Sequence, residues 1–346
     1  MKKILLLFFC FGIFIPYINA SSDSAYEYIL MDSATGRVLA GKNYNTPLLI
    51  ASITKIMTCL LAIKSGKLDD VVIVDDTINK AYGSGIYIEV GERIVLRDLL
   101  YGLMLRSGND AALMVSKYVG GDISNFVNMM NNEAKSIGMS RTRFVNPSGL
   151  DDDGGNYSTA YDMALLTRYA MRYSDYRKIV STKSYTVKTN KKTYIWKNKN
   201  KLLREEYVTG GKTGYTERAK RTLVSTGTSD GMNFIVVTIR DSDDWNTHKE
   251  LYNYAFNNYI NYKILSKNKF KVIGDNYYKG NFYIKNNIYI PLKKDEGTNL
   301  IGRIKLDKLK KYKSNDKVGN YEIYLEDSLI YKEPIYIRVN KRGKYD

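Results

Sequence analysis

Histidine, cysteine, proline and acidic residues are all scarce in this chain of 346 residues, and each shortage removes a class of chemistry. One histidine, His248, and two cysteines, Cys10 and Cys59, cannot supply a zinc site built on several His or Cys ligands. They leave no disulfide framework, and a Ser-His-Asp triad survives only with His248 as its base. Five prolines, with 44% hydrophobic and 26% charged residues, argue against wholesale disorder and for a sizeable core. Acid is outnumbered: 36 Asp and Glu stand against 53 Lys and Arg, a formal charge of +17. The length suits two domains.

The first residues read as an address. Lys2 and Lys3 precede an apolar run from Ile4 to Ile15, followed by Pro16 and the small Ala20. That is the layout of a signal peptide over residues 1–20, cleaved after Ala20. The run is shorter than the roughly 20 residues a membrane-spanning helix needs; an uncleaved anchor is the alternative. Cleavage removes Cys10 and leaves Cys59 as the only thiol. An exported basic protein meets anionic wall polymers and lipid headgroups rather than nucleic acid.

Periodicity outlines the mature chain. Tyr26–Met31 and Arg37–Ala40 read as strands around the turn Asp32-Ser-Ala-Thr-Gly36. Ile53, Ile56, Met57, Leu60 and Ile63 recur at helical spacing over Ser52–Ile63. Further helices are expected at Leu96–Leu105, Asp110–Tyr118, Ile123–Ile137, Tyr161–Met171 and Thr247–Tyr262. Arg221–Thr228 and Asn233–Arg240 look like paired strands across Ser229-Asp-Gly231. Strands at both ends of a helical middle predict one sheet completed by both termini of a domain spanning 21–263. Beyond it, over 264–346, short alternating segments such as Asn281–Ile290 and Tyr321–Leu325 predict a small all-β domain. That stretch holds 19 Lys and Arg against 10 Asp and Glu, a net +9. A general bias toward Lys, Asn, Tyr and Ile gives the same excess, so the charge does not by itself establish a binding surface.

Three short motifs carry the chemistry. Ser52-Ile-Thr-Lys55 places an amine one turn from a hydroxyl. Serine needs an adjacent base to attack, and lysine can be that base only where burial or another cation disfavours its charge. Ser107-Gly-Asn109 sits in a break between helical stretches and offers a hydroxyl for proton relay and a carboxamide that both donates and accepts. Gly211-Lys-Thr-Gly-Tyr-Thr216 reads as a strand: Lys212 for fixed positive charge, Thr213 for a carboxylate, Gly214 for close approach of a substrate backbone. Singly, each has a plain structural alternative: a capped amphipathic helix, an ordinary turn, a glycine-rich edge strand. In this order, 55 and 105 residues apart, the three form the Ser-x-x-Lys, Ser-x-Asn, Lys-Thr-Gly set of penicillin-reactive serine enzymes.

On these motifs the chain resembles the low-molecular-mass penicillin-binding proteins, the serine-type D-alanyl-D-alanine carboxypeptidases. The resemblance runs from about Tyr26 to Tyr262. It takes in Arg106-Ser-Gly-Asn-Asp-Ala-Ala112, Asn146-Pro-Ser-Gly-Leu-Asp151, Tyr157-Ser-Thr-Ala160, Trp196-Lys-Asn198 and Asn200-Lys-Leu-Leu203. It implies an α/β fold of β-lactamase/transpeptidase type, an antiparallel sheet flanked by helices, followed by the small all-β domain. It implies Ser52 as acylated nucleophile, Lys55 as general base, Ser107 as proton relay and Asn109 as the group that orients the substrate amide. Lys212 and Thr213 would bind the terminal carboxylate, Gly214 belongs to the same strand motif, and the N–H groups of Ser52 and Tyr215 would form the oxyanion hole. The substrates implied are peptidoglycan stem peptides, with β-lactams as covalent inhibitors and no metal or organic cofactor.

Two departures qualify the likeness. The arginine that many relatives carry just before the last helix is missing from Asp243-Asp-Trp-Asn-Thr-His248, whose pattern resembles the spore-cortex branch. The C-terminal amphipathic membrane helix is also absent from Lys341–Asp346, which leaves a secreted location at the outer face of the membrane or in the wall. A class A β-lactamase needs a glutamate for the deacylating water, and none lies between Glu133 and Glu205. A non-catalytic wall-binding protein has no need of Ser52 and Lys55 together. His248 is expected at a helix start rather than as a base.

Overall fold

The computed structural model describes residues 24–339, so the expected signal peptide over 1–20 lies outside the described residues. A five-stranded antiparallel sheet runs in the order Val38–Lys42, Ala25–Asp32, Met232–Asp241, Lys220–Ser229, Val208–Thr216. Both ends of this region therefore build one sheet, as the pattern predicts. Its central strands read as nearly unbroken apolar runs because both faces are covered. Ile29, Met31, Val224, Ile235 and Val237 face one core; Tyr28, Leu30, Leu223, Phe234 and Val236 face the other.

The first core is helical. Helices α1 (Lys55–Lys64), α2 (Leu96–Tyr101), α3 (Asn109–Gly120), α4 (Ile123–Ile137), α5 (Ala160–Ala170) and α6 (Ser174–Ser181) precede the edge strand. Every residue of α1 except Lys64 is buried, the mark of a helix packed on all sides. Asp122 caps α4 through Asn125 N–H at 2.7 Å, and Gly138 at φ +91° closes it. The second core packs the sheet against α7 (Asp244–Asn258) through Leu251, Tyr252 and Ala255.

Three details differ from expectation. The stretch Leu96–Leu105 is not one α-helix: α2 gives way at Gly102–Arg106 to π-helical turns. Helix α6 has no counterpart in the sequence reading. The last helix ends at Asn258 instead of Tyr262, because Tyr259 turns extended and buries its ring beside Phe234. The strand Ile260–Leu265 follows and pairs with Ile288–Leu292, so the boundary expected at 263/264 falls inside a strand of the C-terminal region. That region is all β, with a four-stranded sheet in the order Gly280–Tyr283, Ser328–Val339, Lys317–Leu325, Leu300–Leu306. It docks through an ion pair between Arg37 and Glu296 and through Lys293 over the rings of Tyr254 and Tyr259.

Candidate active site

Ser52 lies in a 3₁₀ turn, Ala51–Thr54, that runs straight into α1 at Lys55. The helix proper thus starts three residues later than Ser52, and the difference matters. Residues i and i+3 eclipse in a 3₁₀ turn, which stacks the Lys55 side chain directly on that of Ser52. Two glycines let this turn sit where it does. A Cβ on Gly149, at φ +86°, would collide with the Ala51 carbonyl. A Cβ on Gly214 would overlap Thr222 Oγ1 and stand 2.9 Å from the Ser52 nitrogen. The close approach at Gly214 is therefore made by the protein's own Ser52 turn; it was expected from substrate.

Lys55 is fully buried, and its Nζ lies 3.1 Å from Ser52 Oγ, 2.7 Å from Asn109 Oδ1 and 2.5 Å from the Ser148 carbonyl. Burial, followed by the charges of Lys212 and Lys199, holds its ammonium well below the usual lysine range against the opposing pull of Asp110. A neutral amine has two N–H bonds and one lone pair. The two carbonyl oxygens can only accept, so they take both N–H bonds. As an ammonium Lys55 Nζ donates to Ser52 Oγ as well; only in the neutral form is the lone pair left for the Ser52 hydroxyl to donate to.

Asn109, the first residue of α3, is held from several sides. Its Oδ1 accepts from Lys55, its Nδ2 donates to the Tyr82 carbonyl at 2.6 Å, and its backbone N–H donates to the Ser84 carbonyl at 2.7 Å. Asp110 secures the same segment by accepting from the backbone N–H groups of Ile86 and Tyr87. Ser107 sits just before, in the left-handed region at φ +65°, where a non-glycine residue stores strain. Its hydroxyl is turned toward the edge strand and accepts from Lys212 Nζ at 3.1 Å.

Lys212 departs from expectation. It is buried and donates to Ser107 Oγ and, at 2.6 Å, to the Thr213 carbonyl. Burial and the neighbouring Lys199 bring its ammonium down to about 7. The charge expected to be fixed is conditional on pH. Thr213 and Gly214 are half-buried on the edge strand and Tyr215 is exposed. Arg221, on the adjoining strand, pairs in register with Tyr215; its guanidinium bonds Asp244 at 2.5 Å and lies 5.3 Å from the centre of the Trp245 ring.

His248 lies on the far side of the sheet. It is buried in the body of α7, with Nδ1 2.6 Å from Ser225 Oγ and Nε2 3.2 Å from Thr238 Oγ1, and burial brings its pKa down to about 3. It is a neutral core group. Sequence reasoning missed the Ser148 carbonyl, because a backbone oxygen has no residue signature. The turn-prone Asn146-Pro-Ser-Gly149 was the available signal.

Comparison with known proteins agrees with this geometry. Residues 17–243 match the D-alanyl-D-alanine carboxypeptidase family, and residues 259–340 match the C-terminal domain of penicillin-binding protein 5. The chain is 34% identical to D-alanyl-D-alanine carboxypeptidase DacF of Bacillus subtilis, over 72% of this chain and 67% of that protein. It is 31% identical to DacC of Escherichia coli over 69% of this chain and 63% of that one. Among solved structures, penicillin-binding protein 5 from Haemophilus influenzae aligns with a TM-score of 0.75 at 27% identity, covering 92% of this chain and 97% of that chain. The carboxypeptidase DacD from Francisella tularensis aligns at 0.69 and 27% identity, over 98% and 96%.

Proposed function

The chain belongs to the D-alanyl-D-alanine carboxypeptidase family of serine peptidases, and on that premise we propose Ser52 as its nucleophile and Lys55 as its general base. The enzyme removes the terminal D-Ala from peptidoglycan pentapeptide stems through an acyl-serine intermediate, and β-lactams bind in place of the stem. In our reading Ser52 Oγ attacks the carbonyl of the penultimate D-Ala while Lys55 Nζ takes its proton. The oxyanion rests on the N–H groups of Ser52 and Tyr215, where losing one donor typically costs about 3 kcal/mol. Ser107 gives its proton to the departing D-Ala amine and takes one from Lys212. Water then attacks the acyl carbonyl, its proton returns through Ser107 to Lys212, and Lys55 gives its proton back to Ser52 Oγ. Asn109 holds Lys55 and offers its remaining N–H to the substrate amide. Lys212 and Thr213 receive the terminal carboxylate, and Gly214 keeps the strand close to the nucleophile turn. Arg221, opposite Tyr215 and braced by Asp244 and Trp245, is our candidate for the missing arginine's duty. The Asp-Asp-Trp-Asn-x-His stretch that supplies this brace is also what supports the spore-cortex branch.

The observation that carries the reading is the buried Lys55 Nζ, 3.1 Å from Ser52 Oγ and held by two further acceptors, Asn109 Oδ1 and the Ser148 carbonyl. Mass spectrometry of the enzyme with a D-Ala-D-Ala pentapeptide, then with penicillin, tests it. D-Ala release and an adduct on Ser52 are expected. Ser52→Ala should take no penicillin, and Lys55→Ala should acylate roughly 10⁴-fold more slowly. Labelling of another residue, or fast acylation without Lys55, overturns the assignment.

We place the domain boundary at Tyr259, a division the pairing of Ile260–Leu265 with Ile288–Leu292 supports. The excess of lysine beyond it supports docking to an anionic wall or membrane surface. Residues 1–20 support export. No helix among the described residues is long and apolar enough to cross a membrane.

A further inference from the structure

The loop 145–151 contributes no side chain to the chemistry above, yet its Ser148 carbonyl makes the shortest contact of Lys55. Two asparagines build that loop. Asn146 Oδ1 accepts from Ser148 N–H at 3.2 Å, Ser148 O–H at 3.2 Å and Gly149 N–H at 2.7 Å, while its Nδ2 donates to the Leu150 carbonyl at 2.9 Å. Asn156, itself buried, accepts on Oδ1 from the backbone N–H groups of Val145 and Asn146. Its Nδ2 donates to the Asn146 carbonyl and, at 3.0 Å, to Thr54 Oγ1, the residue just before the base. Its own carbonyl accepts from Ile50 N–H, two residues before the nucleophile. One turn along α1, Thr58 Oγ1 donates to the Pro147 carbonyl at 2.7 Å. The peptide that presents Ser148 O is thus clamped against α1 on both sides of Lys55.

We propose that Asn146 and Asn156 are positioning residues for the base: they aim the Ser148 carbonyl so that, with Asn109, it consumes both N–H bonds of the amine and leaves the lone pair on Ser52. This rests on Lys55 being the base. Without the clamp the amine has one fixed acceptor. It can then rotate its lone pair off the serine, and water can enter beside it. The ionisable groups that face Lys55 are Lys212 on the edge strand, Lys199 ahead of the turn Lys201–Arg204, and Asp110 on α3. Neither asparagine is charged, so removing either leaves that field in place and alters only geometry and solvation.

The test is the second-order rate of acylation by a fluorescent penicillin from pH 5 to 10, expressed per acylatable site so that unfolded molecules drop out. Asn146→Ala and Asn156→Ala should each lose up to about 10²-fold at pH 7, the scale of a misplaced catalytic group. Their rising limb, which reports loss of the Lys55 proton, should move to higher pH by about one unit as water reaches the amine. Asn146→Asp keeps an acceptor for the same three donors and should regain most of the rate at its own optimum, which also keeps the question open where an alanine variant does not fold. Alanine variants at the wild-type rate overturn the proposal. So do slower variants whose limb stays in place, or an Asp variant no faster than Ala. Lys55→Arg separates this from failure of the base assignment. If another group is the base, whatever acylation Lys55→Arg retains keeps the wild-type limb. If only the positioning is wrong, Lys55→Arg is inactive while the asparagine variants are normal.

Discussion

Raising the pH above 7 should loosen the enzyme's hold on the substrate carboxylate if, as we propose, Lys212 receives it, because that lysine discharges there. Burial and Lys199 bring the Lys212 ammonium from 10.5 down to about 7, so the free enzyme carries a cation at this position below pH 7 and an amine above it. A carboxylate beside Lys212 favours the cation, and binding above pH 7 must then take up a proton. The KM of a free-acid D-Ala-D-Ala peptide should rise about tenfold per pH unit. The rise levels off when the neutral form binds as well as it can. A hydrogen bond to a charged group contributes about 1.5–3 kcal/mol, which sets the plateau about 12- to 150-fold above the low-pH value. Folding carries the opposite sign. A depressed lysine pKa contributes stability that is present above 10.5 and lost as pH falls through about 7. An occupying carboxylate should therefore raise Tm more at pH 6 than at pH 9. The assay is KM from pH 6 to 9 for the acid and its C-terminal amide, in wild type and Lys212→Arg. The amide should give a flat line, and so should the arginine variant, whose guanidinium stays charged throughout. A flat wild-type profile for the acid, or an equal slope for the amide, refutes the reasoning.

The remaining expectations are shorter. Arg221→Gln should raise KM for the free acid severalfold more than for the amide; equal changes remove Arg221 from carboxylate recognition. Gly214→Ala forces a Cβ against Thr222 Oγ1 and to 2.9 Å from the Ser52 nitrogen. Overpacking of this kind costs about 1–3 kcal/mol, and penicillin acylation should fall sharply with Tm; a variant that acylates normally contradicts the close approach. Glu27 is buried with neither carboxylate oxygen hydrogen-bonded, and burial pushes its carboxyl up to about 8 although the backbone N–H groups of Ala160 and Thr46 lie near. A raised carboxyl pKa contributes stability that is full below 4.5 and lost as pH rises through about 8. Urea midpoints should show Glu27→Gln gaining on wild type between pH 5 and 8.5, by about a few kcal/mol; a constant difference between the two proteins is the contrary result.

Patterned features were legible in the sequence, and through-space ones were not. The period of Ile53, Ile56, Met57, Leu60 and Ile63 gives α1, because a helix buried on all sides still needs its apolar spacing kept. The sheet was visible for a similar reason: its doubly covered strands, such as Met232–Asp241, are long β-branched runs. Helix α6 escaped because only Tyr176, Ile179 and Val180 of its eight residues are buried. In the site, the hydroxyls and amines that we propose act were named from their motifs. What makes them act could not be. Whether Lys55 is neutral depends on how Lys212 and Lys199, 157 and 144 residues away in the chain, crowd it in a dry interior. Where its lone pair points depends on a carbonyl, Ser148 O, aimed by two asparagines that in sequence look like ordinary turn residues. The same dependence explains the misjudged charge at Lys212. A lysine in a glycine-rich strand reads as fixed positive charge, and only the packing that buries it against Ser107 brings its ammonium down to about 7. The motif lists which atoms can react, and the surrounding fold sets the protonation state in which each of them does.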